Sequence, residues 1–217
     1  GKAVRAGGAP AAGDHMPAHR KIYECRSEDR VARVRRVLSL RQPDLRLVLA
    51  NIHDPHNVSA ILRSCDAFGV MRVHLYYTSE KFPALGHKSS ASARKWVETV
   101  RHPDAAQMIG ALRAEGLQVL GTAFDETARP LPEWDLARPT AIILGNEHRG
   151  LDPELAALVP DRVYIPMSGM VQSLNVSVAA AVTLYEAWRQ RSARGMFDAP
   201  RLEPEALDAL VKEWCEK

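Results

Sequence analysis

Short apolar runs alternate with helix-length amphipathic stretches along most of this chain, and that alternation narrows the fold more than any other feature. Leu47–Ala50 reads as a buried strand and Val58–Phe68 as a helix closed by Gly69. Arg72–Tyr76 is the next strand, and Trp96–Val100 reads as another, followed by a helix from Pro103 to Glu115 with Gly116 after it. Val119–Ala123, Thr140–Leu144 and Val163–Ile165 continue the series, and a long helix runs from about Leu174 to Arg191. The expected fold is α/β: a mostly parallel sheet with helices on both faces. In such sheets ligands bind outside the carboxyl ends of the strands.

Each end carries a helix of its own. Tyr23–Leu40 places Val31, Val34 and Leu38 on one face and Arg26, Arg30 and Arg33 on another, and Pro43 stops it. After Pro204, Leu207, Leu210, Val211 and Trp214 recur at helical spacing and require an apolar neighbour. Residues 1–19, rich in Gly, Ala and Pro, read as a flexible tail with Met16 as a candidate natural start. The expected organisation is therefore tail 1–19, basic helical extension 20–46, sheet domain 47–192 and C-terminal helical extension 193–217.

With 217 residues, 46% hydrophobic and 25% charged, the chain has the composition of a folded domain and excludes wholesale disorder. The longest apolar stretch, Val176–Leu184, is too short to span a bilayer, so no membrane association is expected. Three widely spaced cysteines (Cys25, Cys65, Cys215) make neither a disulfide framework nor a zinc site, and suit the cytoplasm. His53 and His56 lack the carboxylate or cysteine partners of a metal centre, and none is expected. The net charge of +3 hides an asymmetry: residues 1–46 hold eleven Lys/Arg against five Asp/Glu, a surplus of six. A basic arm on a mildly acidic body suits a polyanion such as nucleic acid.

Three loops at predicted strand ends concentrate the unusual residues. In Asn51-Ile-His-Asp-Pro-His-Asn57, Asn57 is a good helix N-cap, and Arg63 lies two turns into the helix that follows. Gly145-Asn-Glu-His-Arg-Gly150 sets Glu147 between two glycines that permit close backbone approach. Ile165-Pro-Met-Ser-Gly-Met-Val-Gln-Ser173-Leu-Asn175-Val-Ser177 puts a polar Ser-x-Asn-x-Ser where burial demands a ligand or a firm hydrogen-bond network. No GxGxxG follows any strand, so a dinucleotide cradle is not supported.

Together, Asn57…Arg63, Leu144-Gly-Asn-Glu147-His-Arg-Gly150 and Ile165-Pro-Met…Ser173-Leu-Asn175-Val-Ser177 resemble the three motifs of the SPOUT-class RNA 2′-O-ribose methyltransferases, closest to the tRNA (guanosine-2′-O)-methyltransferase branch. The similarity runs from about Tyr23 to Glu205. The resemblance implies a C-terminal trefoil knot, a homodimer whose second subunit completes the active site, and S-adenosyl-L-methionine (AdoMet) as cofactor. By matched position it implies that Thr122, Ala123, Leu144, Gly145, Asn146, Glu147, Ile165, Pro166, Met167, Ser173, Leu174 and Asn175 form the cofactor loops. Arg63 is then the catalytic arginine, held by Asn57 and supported by Glu147, Ser173 and Asn175. A guanidinium suits stabilisation of a 2′-oxyanion and of a phosphate better than the role of base. Arg26, Arg30, Arg33, Arg36, Arg41, Lys95, Arg189, Arg191, Arg194 and Arg201 are the expected RNA contacts. The implied reaction is 2′-O-methylation of tRNA at the D-loop guanosine at position 18. A ribosomal RNA methyltransferase and a non-catalytic RNA-binding protein are the alternatives; the former commonly carries a sizeable N-terminal domain, and only about 45 residues precede the first strand.

Overall fold

A computed structural model describes the backbone of residues 18–83 and 93–217, and side chains from residue 27 onward within those spans. Among the described residues seven strands form one sheet: β1 (Leu45–Ala50), β2 (Arg72–Tyr76), β3 (Glu98–His102), β4 (Gln118–Thr122), β5 (Arg129–Pro130), β6 (Thr140–Leu144) and β7 (Arg162–Tyr164). The order is β3-β2-β1-β6-β4-β7-β5, and every pairing is parallel. The helices are α1 (Ala18–Ser39), α2 (Pro55–Ala67), α3 (Ala93–Trp96), α4 (Ala105–Ala114), α5 (Pro153–Leu158), α6 (Val176–Ala193) and α7 (Pro204–Glu216).

The central strands are apolar throughout because both of their faces are covered. Leu45, Leu47 and Leu49 of β1, with Ile142 and Leu144 of β6, meet Val58, Ile61 and Leu62 of α2 and Ala180, Leu184 and Ala187 of α6. On the opposite face Val48, Ala50, Ala141 and Ile143 pack against Met108, Ile109 and Leu112 of α4 and Leu155 of α5. The terminal helices cover each other instead: Val34 and Leu38 of α1 form a separate cluster with Leu207, Val211 and Trp214 of α7. That supplies the neighbour the C-terminal periodicity requires.

Four expectations change. Trp96 belongs to α3, and the third strand is Glu98–His102, because the Trp96 ring packs on Trp214 with centroids 4.9 Å apart. Asn57 is not the cap of α2; Asp54 is, accepting the N–H of His56 at 2.8 Å, so Asn57 sits in the first turn with its side chain available. The first strand begins two residues earlier than expected, at Leu45. The tail is helical from Ala18; residues 1–17 and 84–92 lie outside the described residues.

Candidate active site

The carboxyl ends of β4, β6 and β7 open onto a cleft of about 550 Å³, within the range of small-molecule sites. It is lined by Thr122 and Ala123, by the whole stretch Leu144–Gly150, by Ile165 and Met167, and by Ser173, Leu174 and Asn175. Every residue expected in a cofactor loop is present except Pro166, and Phe124, Tyr164, Val176 and Thr183 join them. The walls mix aliphatic side chains with backbone and amide groups.

The loop after β6 is a tight ring. Asn146 and Gly150 exchange backbone hydrogen bonds of 2.8 and 2.9 Å, and the Asn146 Oδ1 accepts from the N–H groups of His148 and Arg149. Gly145 has to be glycine: a Cβ there would stand 2.4 Å from the carbonyl carbon of Gly150. Gly150 closes the ring at φ +71°, a left-handed conformation that glycine adopts without cost.

Glu147 projects from this ring to the start of α2. Its carboxylate accepts the N–H of His53 (3.0 Å), the N–H of Asp54 (3.1 Å) and the Asn57 amide (3.0 Å). Partial burial would raise its pKa, but these donors outweigh that effect and hold it below the ordinary glutamate value. The Oδ1 of Asn57 in turn accepts from Asn175 Nδ2 at 3.2 Å, while Asn175 caps α6 by accepting the N–H of Ser177 at 2.9 Å. Glu147, Asn57 and Asn175 thus link the loop after β6 to the first turns of α2 and α6. The expectation that Asn57 holds Arg63 is corrected here: its amide is committed to Glu147 and Asn175.

Arg63 stands on the exposed side of α2, outside the cleft lining, and makes no ion pair among the described residues. Its guanidinium is available to something from outside. Ser173 is also exposed and lines the cleft.

The expected RNA contacts divide sharply. Arg30, Arg33 and Arg36 lie exposed along α1, and Lys95 is exposed on α3. Arg26 lies in α1, where only its backbone is described. Arg189 pairs with Glu186, Arg194 with Asp135 and Arg201 with Asp44. Arg41 and Arg191 are corrections, being 1% and 0% exposed. Arg41 bonds the backbone and carboxylate of Asp66 and stacks over Trp214; Arg191 bonds the carbonyl of Leu136, Gln42 and Asp44. Both serve the interior.

One organising residue escaped the sequence reading. Asn51, fully buried at the end of β1, adopts φ +49°. Its Oδ1 accepts the N–H groups of Thr78, Ser79 and Glu80, its Nδ2 donates to Asp152 at 2.7 Å, and its carbonyl accepts from Asn146 Nδ2 at 2.7 Å. An asparagine directly after a buried strand was the available signal, because asparagine tolerates the left-handed region.

Residues 44–185 match the SpoU rRNA Methylase family. The chain is 45% identical over 192 residues to the tRNA (guanosine(18)-2′-O)-methyltransferase of Thermus thermophilus, covering 88% of this chain and 98% of that protein. The crystal structure of the A. aeolicus TrmH/SpoU tRNA modifying enzyme superposes with a TM-score of 0.81 at 36% identity, covering 88% of this chain and 96% of that one. The SpoU methyltransferase AviRb of Streptomyces viridochromogenes, solved in complex with the cofactor AdoMet, gives a TM-score of 0.61 at 30% identity, with 70% of this chain and 62% of that one covered.

Proposed function

The chain belongs to the SpoU rRNA Methylase family, and from that premise we propose that it methylates the ribose 2′-hydroxyl of the tRNA D-loop guanosine at position 18, using AdoMet. The observation that carries the reading is the convergence, in one cleft, of Thr122–Ala123, Leu144–Glu147, Ile165, Met167 and Ser173–Asn175 from the three loops that follow β4, β6 and β7. A tRNA target is favoured over ribosomal RNA because the match to the Thermus thermophilus tRNA enzyme runs over 98% of that protein. With tRNA as substrate, the reaction belongs in the cytoplasm; among the described residues no helix is long and apolar enough to cross a membrane.

The cleft suits AdoMet. Leu144, Ile165, Leu174 and Val176 offer an apolar surface, and the loop ends at Thr122–Ala123, Gly145–Asn146 and Ser173 offer polar groups to orient a ligand. When bound, AdoMet supplies an electrophilic methyl group on a sulfonium. The protein's part is to position the sugar and to stabilise charge. As the 2′-hydroxyl gives up its proton to water, the Arg63 guanidinium stabilises the developing oxyanion and grips an adjacent phosphate. Asn57, Glu147 and Asn175 act as positioning residues, holding α2 and α6 in register with the cofactor loop.

The functional unit is a homodimer. The outer face of α6 exposes Val178, Val182, Tyr185 and Trp188, continued by Phe68 and Phe197 through ring contacts, and apolar patches of this kind mark protein interfaces. A second copy on this face would complete the site around Arg63. The exposed Arg30, Arg33 and Arg36 supply phosphate contacts that add affinity with little sequence preference. The trefoil knot implied by the resemblance is part of the same proposal.

The experiment is a radiolabelled-methyl transfer assay on an unmodified tRNA transcript, with mapping of the blocked nucleotide. Label on the 2′-oxygen of the D-loop guanosine is expected. Absence of transfer, or label on a base or on another nucleotide alone, overturns the assignment.

A further inference from the structure

Beside the rim of the cleft, polar and charged side chains from three loops meet outside the residues assigned above to methyl transfer. The loop after β1 supplies His53, the loop after β2 supplies Ser79 and Glu80, and the loop after β6 supplies Arg149. One oxygen of the Glu80 carboxylate lies 2.8 Å from His53 Nδ1, and the other accepts from Arg149 Nη1 at 3.1 Å. Arg149 also donates to the Ser79 hydroxyl at 2.7 Å. Hydrogen bonds from His53 and Arg149 hold Glu80 below its ordinary value, and the same contact raises His53. The other acids nearby are Asp54 and Glu147 beside His53, and Asp152, 3.8 Å from Arg149.

This site is built rather than incidental. Asn51, 0% exposed, holds the β2 side through the backbone N–H groups of Thr78, Ser79 and Glu80, and holds the β6 side through its carbonyl to Asn146. The backbone that carries Ser79, Glu80 and Arg149 is therefore set by a buried residue, directly at residues 79 and 80 and through Asn146 at Arg149. His53 and Arg149 remain largely exposed, with side chains 69% and 48% accessible, and Arg149 also lines the cleft. The Glu80 side chain is 19% accessible, but both of its partners face solvent, where ion pairs are weak and screened and a polyanion competes for them. A guanidinium takes a phosphate in the same forked geometry as a carboxylate.

We propose that His53, Arg149 and the Ser79 hydroxyl form a seat for one phosphodiester of the RNA, which the chain's own Glu80 occupies until RNA displaces it. The inference rests on RNA being the substrate. Glu80 then makes entry competitive: a polyanion with a phosphate at the right register replaces the carboxylate, whereas a loosely bound one does not.

The test is binding of unmodified tRNA transcript to the full chain over a range of salt concentrations, alongside AdoMet titration. Glu80→Gln is expected to bind tRNA more tightly by roughly threefold to tenfold at low salt, with the logarithmic salt slope steeper by about one ion. His53→Gln is expected to bind more weakly, and the double variant no more tightly than His53→Gln alone. If Glu80→Gln binds tRNA unchanged or more weakly with AdoMet affinity intact, the seat is wrong while the proposed function stands. If Glu80→Gln loses AdoMet and tRNA together, Glu80 belongs to the scaffold and the seat is equally wrong. If the wild-type chain does not bind the transcript, both readings fall.

Discussion

Asn57 donates its side-chain amide to Glu147 at 3.0 Å, and that bond helps to join the helix carrying Arg63 to the loop after β6 that lines the cleft. Glu147 spends the rest of its carboxylate on the N–H groups of His53 and Asp54. A glutamine has the same shape but offers an NH₂ group where the second oxygen accepts. Glu147→Gln is therefore expected to leave a partly buried donor unpaired and to cost about 1–3 kcal/mol. The melting temperature should fall by several degrees, with weaker AdoMet binding by calorimetry. The sign with pH follows from the lowered carboxyl pKa. The stabilisation is present above the ordinary glutamate value and is lost as pH falls through the lowered one, so the wild-type advantage over Glu147→Gln should vanish in acid.

Arg63→Ala removes an exposed cation that no described residue pairs with, so stability should change by less than about 0.5 kcal/mol. Turnover should fall by roughly a hundredfold to a thousandfold, the scale of a lost oxyanion donor. AdoMet affinity should stay within twofold. Single-turnover methyl transfer beside a calorimetric titration separates the two effects, and wild-type-like transfer would remove Arg63 from the chemistry.

The exposed apolar face of α6 should govern assembly. Val182 and Tyr185 are 39% and 54% accessible, so glutamates there cost the isolated subunit little. In a dimer interface the same charges lie buried and unpaired. Val182→Glu with Tyr185→Glu is expected to halve the mass seen by sedimentation equilibrium while the circular dichroism spectrum is retained.

The sheet was legible because burial on both faces writes strands as continuous apolar runs. Thr140–Leu144 and Arg72–Tyr76 fall where the sequence puts them. The glycines and the polar Ser173 and Asn175 of the strand-end loops do line the cleft, although Ser173 and Asn175 lie exposed there and not buried as their sequence setting implied. What the sequence hid is who touches whom. Arg41 and Arg191 look like the surface arginines around them, and only the fold reveals that Asp66 and Asp44 draw them inside. Asn57 has the credentials of a helix cap, yet Asp54 takes that place because Pro55 opens the helix. The link from Asn57 to Asn175 spans 118 residues, and no local pattern encodes it.

Arg191 should behave as a core residue. Its guanidinium joins Leu136, Gln42, Asp44 and the carbonyl of Arg138 around the C-terminal half of α6. Arg191→Met keeps the volume but leaves Asp44 with Arg201 as its remaining ion-pair partner and takes the donor from the Leu136 carbonyl and from Gln42 Oε1. A loss of about 3–5 kcal/mol is expected from breaking a buried pair, read as a lower urea midpoint. The salt slope of tRNA binding by the folded variant should not move. Exchange of Arg30, Arg33 and Arg36 for glutamine should do the opposite, flattening the slope by about two to three ions without destabilisation.

His74 predicts an acid limit to stability that is unrelated to the active site. It lies 4% exposed on β2, with Nδ1 2.8 Å from His102 Nε2 and Nε2 3.4 Å from Arg46 Nη1. Burial chiefly, with the nearby His102, Arg46 and Arg72, lowers its pKa to about 4, and Glu115 opposes them weakly. His102 is lowered as well, through its own burial. The unfolded chain therefore takes up a proton near the ordinary histidine value that the folded chain refuses until about pH 4. Stability is complete above that ordinary value and declines as pH falls towards the lowered one, by about 3 kcal/mol from His74 alone. Arg46 cannot retreat from the new charge, because its guanidinium is bonded to Glu115 and to the carbonyl of Pro43. His74→Gln keeps a polar group against both neighbours without the titration, so its urea midpoint should fall less between pH 7 and pH 4 than that of the wild type. Parallel pH profiles for the two proteins would assign the acid limit to the carboxylates instead.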